Sequence, residues 1–449
     1  MQEEKKKKKK EVAVIGAGFA GLSCAKRLKA LGYEVTVYEG RDRVGGRVHT
    51  VEGVEYGGEL IGNNHPTWQR LAKEYALDLE PLDGDTADPT LQDPIQVGGM
   101  QYRTEKDIRE LNEQLDKLLL LISTESLKVG NPNEPWNEPE EVRALDQVSV
   151  GTVLAGWHEP GTALFEYARM ILERDNLVSI YQQSWLGLLC QVRGGGGLAF
   201  WDNVENAICR QGNQELAVRM ARDLKVKLNV RITMSLCCAT TPTKVTLVRE
   251  AKYSPGEPDL IKRDYNFVVL AIPNALYSSI SFGGLRTDRL DGHMMQSGVA
   301  SKLMCRASDF WSRSGLSINS QSVLYGESWP TKRGFNVFLG GERLAATPTA
   351  AITHGLERLY GEEELFKLEK RVDYATEPFT MGGYSCPAPG QMLTTMKNLQ
   401  EVLPRERLAF AGEHCSPAFF GYMEGALESG ERTAARVHEW LTLEGGEHI

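Results

Sequence analysis

Residues 12–39, VAVIGAGFAGLSCAKRLKALGYEVTVYE, lay out a strand, a glycine turn, a helix, a second strand and a closing acid in unbroken order. Gly16 permits a tight turn out of the first strand, Gly18 lets the backbone approach a pyrophosphate, and Gly21 lets the helix pack closely on the sheet. The amides at the helix N-terminus then face the phosphates. Glu39 follows the glycines by about 20 residues, where a carboxylate accepts hydrogen bonds from both ribose hydroxyls and repels a 2'-phosphate. The segment predicts a dinucleotide site and disfavours NADP. Glycines alone would be a weak signal; the strand, helix and acid in register with them make it a strong one.

Two further stretches extend this reading. EGRDRVGGRVHT places Gly45 and Gly46 in a second turn flanked by Arg41, Arg43 and Arg47, whose guanidinium groups can clamp a diphosphate seated on the first helix. A solvated loop would account for the arginines but not for the paired glycines between them. Near the other end, RLAFAGEHCSPAFFGYMEGALESGERTAARV reads as a buried strand, a glycine turn and a helix opening at GYMEGA. That is another helix N-terminus able to meet an anionic group.

The net charge of -9 argues against a general nucleic-acid binder. Lys5 to Lys10 is the one strongly basic run and reads as a solvated tail. No secretory signal pattern follows it. The eight cysteines, at 24, 190, 209, 237, 238, 305, 386 and 415, form no CxxC pair. Neither a zinc site nor a disulfide framework is expected, and a reduced, cytoplasmic setting fits. No window of about 18 apolar residues occurs, and the LLLLI of Leu118 to Ile122 falls within a charged amphipathic helix, so no membrane anchor is expected. Ser/His/Asp, HExxH and Walker patterns are lacking, as suits chemistry carried by a cofactor.

Along the chain, helix-strand alternation gives way after Asp83 to the loop-rich GDTADPTLQDPIQVGG, which looks like a domain boundary. Helical spacing covers residues 104–124, 163–172 and 214–224, so the middle third is mostly helical. Strand patterns appear at 225–232, 244–249, 267–272, 301–306, 322–325, 336–339 and 408–411, and a long helix at 421–441.

With these motifs on both ends, the chain resembles the FAD-dependent amine oxidase superfamily, which includes flavin monoamine oxidases, polyamine oxidases and L-amino-acid oxidases. The resemblance implies an α/β fold: a Rossmann-like (GR2-type) FAD-binding domain, of residues 1–83, 212–292 and 386–449, carrying an inserted α+β substrate domain of residues 84–211 and 293–385. It implies that the Met423 amide faces the flavin pyrimidine edge, that Gly412 and Glu413 lie near the ribityl chain and diphosphate, and that Ile232 packs at the adenine. Tyr422 matches the tyrosine on the substrate face of the flavin, where its π-face guides an amine. Lys302, in GVASKLMCR ahead of DFWSRSG, matches the lysine that holds a water against flavin N5.

In monoamine oxidases a GGCY motif bonds its cysteine to the flavin and supplies a second aromatic. Here the segment reads MGGYSCP: Tyr384 falls at the cysteine position and Ser385 at the aromatic one. Non-covalent FAD and an incomplete cage are therefore expected, with Trp201, Phe419 or Phe420 as replacement walls. VRGGGGLAFW at 192–201 resembles the glycine pair before a loop over the substrate cavity, and Gly212 with Asn213 resembles the turn before the next FAD-domain helix. Glu59, Asn63, Asn64 and His65, in GGELIGNNHP, are placed to reach flavin or substrate.

The implied activity is oxidation of a primary or secondary amine by hydride transfer from its α-carbon to flavin N5. Hydrolysis of the imine gives an aldehyde or ketone, and dioxygen is reduced to hydrogen peroxide. The partners are thus a small amine and dioxygen, with no nucleic acid and no metal; homodimerisation is left open. Among the rivals, an L-amino-acid oxidase would need an arginine for the carboxylate, for which Arg193 and Arg210 are candidates. A polyamine oxidase would need tunnel carboxylates such as Glu59 or Asp202. A desaturase of an apolar substrate would need neither Lys302 nor an aromatic cage, and a non-catalytic flavin scaffold would not need both flavin-facing motifs intact.

Overall fold

The computed structural model describes residues 9–81, 95–97, 99–232, 237–238, 245–247, 263–280, 292–306, 315–319, 324–331, 334–341, 344–360, 367–404 and 406–443. A five-stranded sheet runs in the order Leu408–Phe410, Phe267–Leu270, Glu11–Ile15, Glu34–Tyr38 and Lys225–Lys227, every neighbouring pair parallel. The apolar runs VAVI, FVVL and LAF suit strands buried on both faces, as a parallel sheet covered by helices requires. Successive side chains go to opposite layers: Val12 and Val14 join one core with Phe267, Val269 and Ala409, while Ala13 and Ile15 join another with Val268, Leu270 and Phe410.

On the first of these faces, helix Phe19–Ala30 packs against the C-terminal helix Met423–Leu443. Their backbones nearly touch. A Cβ on Gly430 would stand 2.3 Å from the Ala20 carbonyl oxygen, and Ser23 Oγ donates to the Leu427 carbonyl at 2.8 Å. Gly16 has φ +104°, a left-handed conformation that favours glycine, and a Cβ there would lie 2.3 Å from the Ala271 carbonyl.

Helix Glu105–Ser126 starts at Thr104, whose side chain accepts from the Asp107 amide, and buries Ile108, Leu111, Leu115, Leu118 and Ile122. Leu120 and Leu121, inside the LLLLI run, face outward. Helix Ala163–Asn176 also matches its pattern. Helix Trp185–Gly194 was not legible, because Trp185 to Val192 are buried all round and show no polar face. No described helix is long and apolar enough to cross a membrane.

A second sheet has seven strands in the order Lys367–Asp373, Ala300–Arg306, Gly334–Gly340, Leu324–Thr331, Gly315–Asn319, Ile95–Val97 and Met100–Tyr102. Two expectations change here: IQV within the boundary loop is a strand, and the strand expected at 322–325, described from Leu324, runs on to Thr331. The 225–232 strand in turn is only Lys225–Lys227. On Ala300–Arg306, Leu303 and Cys305 pack with Val337, Leu339 and the helix residues Ile352, Leu356 and Leu359. Strand alternation therefore sends Lys302 to the opposite face, where it stands across from Phe338, while Met304 stands across from Asn336. DFWSRS before Gly315, residues 84–94 of the boundary loop, and Lys5 to Lys8 lie outside the described residues.

A buried carboxylate joins the two ends of the chain. Helix Pro66–Glu74 has no side-chain cap of its own, and Glu424 supplies one from the C-terminal helix: its Oε1 and Oε2 accept from the Thr67 and Trp68 amides at 2.9 Å each. Glu424→Ala leaves those donors without their acceptor and is expected to cost about 1–3 kcal/mol of stability. A fall in the urea midpoint at unchanged m-value checks this; an unshifted midpoint refutes it.

Candidate active site

The carboxyl ends of the parallel strands open onto a cavity of about 310 Å³. It is lined by Gly16, Gly18, Tyr38, Glu39 and Arg41 from the N-terminal motif and by Lys302, Phe338, Tyr384 and Tyr422.

Glu39 is anchored from two sides, its Oε2 by the Ala17 amide at 2.8 Å and its Oε1 by the Arg41 amide at 2.9 Å. The two glycine turns lie against each other, tied by Gly45 N–H to the Ala17 carbonyl at 2.9 Å, and Gly16, Gly18, Gly45 and Gly46 all line the wall. Gly21 does not line it: its place is the helix-sheet contact, where a Cβ would stand 2.0 Å from the Gly16 carbonyl oxygen. Ile232 reaches the wall beside Val230 and Arg231.

Of the three arginines expected to clamp the diphosphate, Arg41 and Arg47 line the cavity and Arg43 does not. Arg41 lines the cavity but spends its guanidinium on Glu377 Oε2 at 2.6 Å and Thr380 Oγ1 at 2.9 Å, over the Phe379 ring. Arg43 bonds the carbonyls of Val44, Gly46 and Val48 and so braces the glycine turn from behind. Arg47 stays on the wall and donates to the Gly383 carbonyl at 2.6 Å and Glu413 Oε1 at 2.9 Å.

Glu413 is buried and also accepts from Ser385 Oγ at 2.5 Å and the Gly421 amide at 2.8 Å. Burial pushes its carboxyl up, but Arg47, His414, Ser385 and Gly421 outweigh burial and hold it below the usual range. Ser385, at the position of the second aromatic, is thus an anchor for Glu413. His414 and Gly412 share this wall; His414 Nε2 meets the Tyr277 hydroxyl at 2.8 Å, while its buried Nδ1 has no partner. Burial pushes this imidazole down to about 4.

The aromatic wall differs from expectation. Tyr384 stacks on Phe338, centroids 6.3 Å apart with planes 7° from parallel, and both line the cavity. Trp201 does not: its Nε1 donates to Ser123 Oγ at 3.0 Å within the helical layer. Phe420 sits in the core, and Phe419 lies behind Tyr422. Phe338 carries no motif; the signal that could have found it is its cross-strand register with Lys302.

Tyr422 is met edge-on by Phe419 and by His65 at 5.5 Å. His65 is fully buried, and its Nδ1 accepts from the Gly62 amide at 2.8 Å, which leaves the proton on Nε2. Burial lowers its pKa to about 3, so the imidazole behind Tyr422 is neutral. Neither His65 nor Asn63 or Asn64 reaches the cavity wall; Asn64 Nδ2 bonds the Gly195 carbonyl at 2.7 Å, fixing the glycine run to this loop.

Lys302 is 2% exposed and forms an ion pair with Glu59, also donating to the Gly57 carbonyl at 3.1 Å. Asn336 Nδ2 donates to the same Glu59 oxygen at 2.9 Å. Asn213, in the turn after Gly212, holds the Gly58 and Glu59 carbonyls at 2.9 and 2.8 Å and leans on Met423 Sδ. Of the residues named for rival substrates, Glu59 lines the cavity, whereas Arg193 bonds the Val129 carbonyl, Arg210 pairs with Glu80, and Asp202 is off the wall. Arg174 is on the wall but pairs with Asp175 at 2.7 Å. Among the described residues, no group of three His, Cys, Asp or Glu could hold a metal ion.

These walls fit FAD. Stacked side-chain-free turns, an anchored acid and the helix N-terminus at Phe19 line one cavity together with Lys302 and the aromatic wall. Comparisons agree. The chain is 28% identical over 468 residues to AofH of Mycobacterium tuberculosis, a protein named for flavin-containing monoamine oxidase, covering 95% of this chain and 96% of that one. It is 25% identical to the flavin-containing amine oxidase A of Bos taurus, over 95% and 84% of the two chains. The fold matches cyclohexylamine oxidase from Brevibacterium oxydans at a TM-score of 0.76 and 22% identity, covering 97% and 100% of the chains. The model of the flavin-containing amine oxidoreductases matches residues 19–299 and 311–438. The chain belongs to the flavin-containing amine oxidoreductase family.

Proposed function

We propose that the protein oxidises a small primary or secondary amine with FAD and dioxygen, with Lys302 and Tyr422 as its catalytic residues. The observation that carries this reading is one cavity shared by the Gly16–Glu39 dinucleotide wall, by Lys302 and by the aromatic set Tyr384, Phe338 and Tyr422. When bound, FAD supplies the ring that accepts hydride from the amine α-carbon and passes electrons to dioxygen, giving hydrogen peroxide.

The chain's own residues bind, orient and exclude water. Gly16, Gly18, Gly46 and Arg47 hold the diphosphate, Glu39 the ribose, and Gly412, Glu413 and Met423 the ribityl and ring end. Tyr422 offers its π-face to the amine nitrogen, and the Tyr384–Phe338 stack closes the cage left incomplete by Ser385. Arg193 and Arg210 lie away from the wall and Arg174 is paired, which supports an amine without an α-carboxylate over an amino acid. The FAD domain of residues 1–83, 212–292 and 386–449 and the substrate domain of residues 84–211 and 293–385 remain part of the proposal, supported by the two sheets drawing strands from those stretches. So does a cytoplasmic setting, on six cysteines among the described residues, unpaired and buried.

Purified yellow protein should release peroxide with aryl-alkyl or cycloalkyl amines and not with L-amino acids in a peroxidase-coupled assay. Lys302→Met should slow flavin reoxidation by dioxygen about 10²-fold in stopped flow. Peroxide from the amino-acid pool alone, or unchanged reoxidation in the variant, would sink these assignments. Tyr384 at the cysteine position, with Cys386 buried off the wall, supports non-covalent FAD. Acid precipitation is expected to leave all yellow colour in the supernatant; a yellow pellet would show a covalent bond.

A further inference from the structure

The amine-oxidase reading leaves Glu59 without a task, and the inference below rests on that reading. Glu59 comes from the GGEL segment, remote in sequence from the strand that carries Lys302, yet both line the same cavity. Its Oε2 is shared between the Lys302 ammonium and Asn336 Nδ2. Its backbone carbonyl is held by Asn213 Nδ2 at 2.8 Å. Main chain and side chain are therefore both fixed, which a casual surface ion pair would not need. Side-chain exposure is 2% for Lys302 and 11% for Glu59, so an ammonium here needs a counter-charge close by. Glu55, coupled electrostatically to both, is committed to Thr50 Oγ1 and the Asn213 amide.

We propose that Glu59 is a positioning residue that neutralises Lys302 and fixes its ammonium, with Asn336 as the clamp, so that the cavity wall there carries an ion pair of zero net charge. The pair makes Lys302 a placed hydrogen-bond donor rather than a strong attractor of anions. Charge arithmetic makes this testable. Glu59→Gln keeps the shape and an acceptor for Asn336 but leaves the wall one charge positive; Lys302→Met leaves it one charge negative; the double variant is neutral again.

Sulfite is the probe, because it is an anion that adds to oxidised flavin and bleaches its visible absorption without turnover. FAD-loaded proteins titrated with sulfite should show Glu59→Gln binding about tenfold or more tighter than the parent, and Lys302→Met about tenfold or more weaker. The double variant should return to within about threefold of the parent. A merely structural role for Glu59 would loosen FAD or lower the melting temperature without producing this order. Sulfite affinity in Glu59→Gln that is equal to or below the parent overturns the proposal, as does a double variant that stays with Lys302→Met. Should Glu59→Gln fail to retain FAD, the comparison of Lys302→Met with the double variant decides alone. Failure of the amine-oxidase reading is separately visible, as parent protein that carries FAD but yields no peroxide with any amine.

Discussion

The carboxylate of Glu413 is the contact on which the site's assembly turns. It joins Arg47 from the second glycine turn, Ser385 from the segment after the seven-stranded sheet, and Gly421 from the turn before the last helix. Three stretches, the first more than three hundred residues before the other two, meet at one buried group, and each brings its neighbours with it: Gly46, Tyr384 and Tyr422. A charge so deep is tolerable only because every oxygen is engaged. The parallel sheet sets the directions of these stretches, since strand ends at Ile15, Leu270 and Phe410 all point to the same cavity edge. Glu413 sets their distance.

Buried or largely buried carboxylates recur as links between remote pieces. Glu424 caps a helix three hundred and more residues away, Glu59 answers Lys302 from the N-terminal third, and Glu413 fastens the cofactor wall. In each case the acid lies within or beside a glycine-rich motif, GGEL, AGEH or GYMEG. The glycines bring backbone close, and the acid then satisfies the amides or cation exposed by that approach.

What could be read from the sequence was local. Gly16, Gly18 and Glu39 announce their roles because the turn, the helix start and the strand end are set by residues a few positions apart. The family resemblance added Lys302 and Tyr422, which lie within contiguous strings. Partners across space were another matter. Trp201 looked like a cage wall by its place after the glycines, but its indole N–H finds Ser123 and turns the ring into the helical layer. Phe338 was invisible because its position follows from antiparallel register with Lys302, a pairing no single string encodes. Arg43 was grouped with Arg41 and Arg47 by spacing alone, whereas the turn it flanks has carbonyls that need a donor.

The Arg41–Glu377 pair has a consequence for how the molecule is put together. Phe379, in the same stretch, lies so close over Gly40 that a Cβ there would be 2.3 Å from its ring, and the Arg41 and Arg231 guanidiniums stand over that ring. Residues 377–380 thereby form a latch across the ribose end, closed by an ion pair between the N-terminal and C-terminal parts of the chain. A nascent chain emerging N-terminus first would display its glycine turns and Glu39 well before the latch exists. In the order of synthesis the latch is therefore a late contact, formed only once the last quarter of the protein has been made.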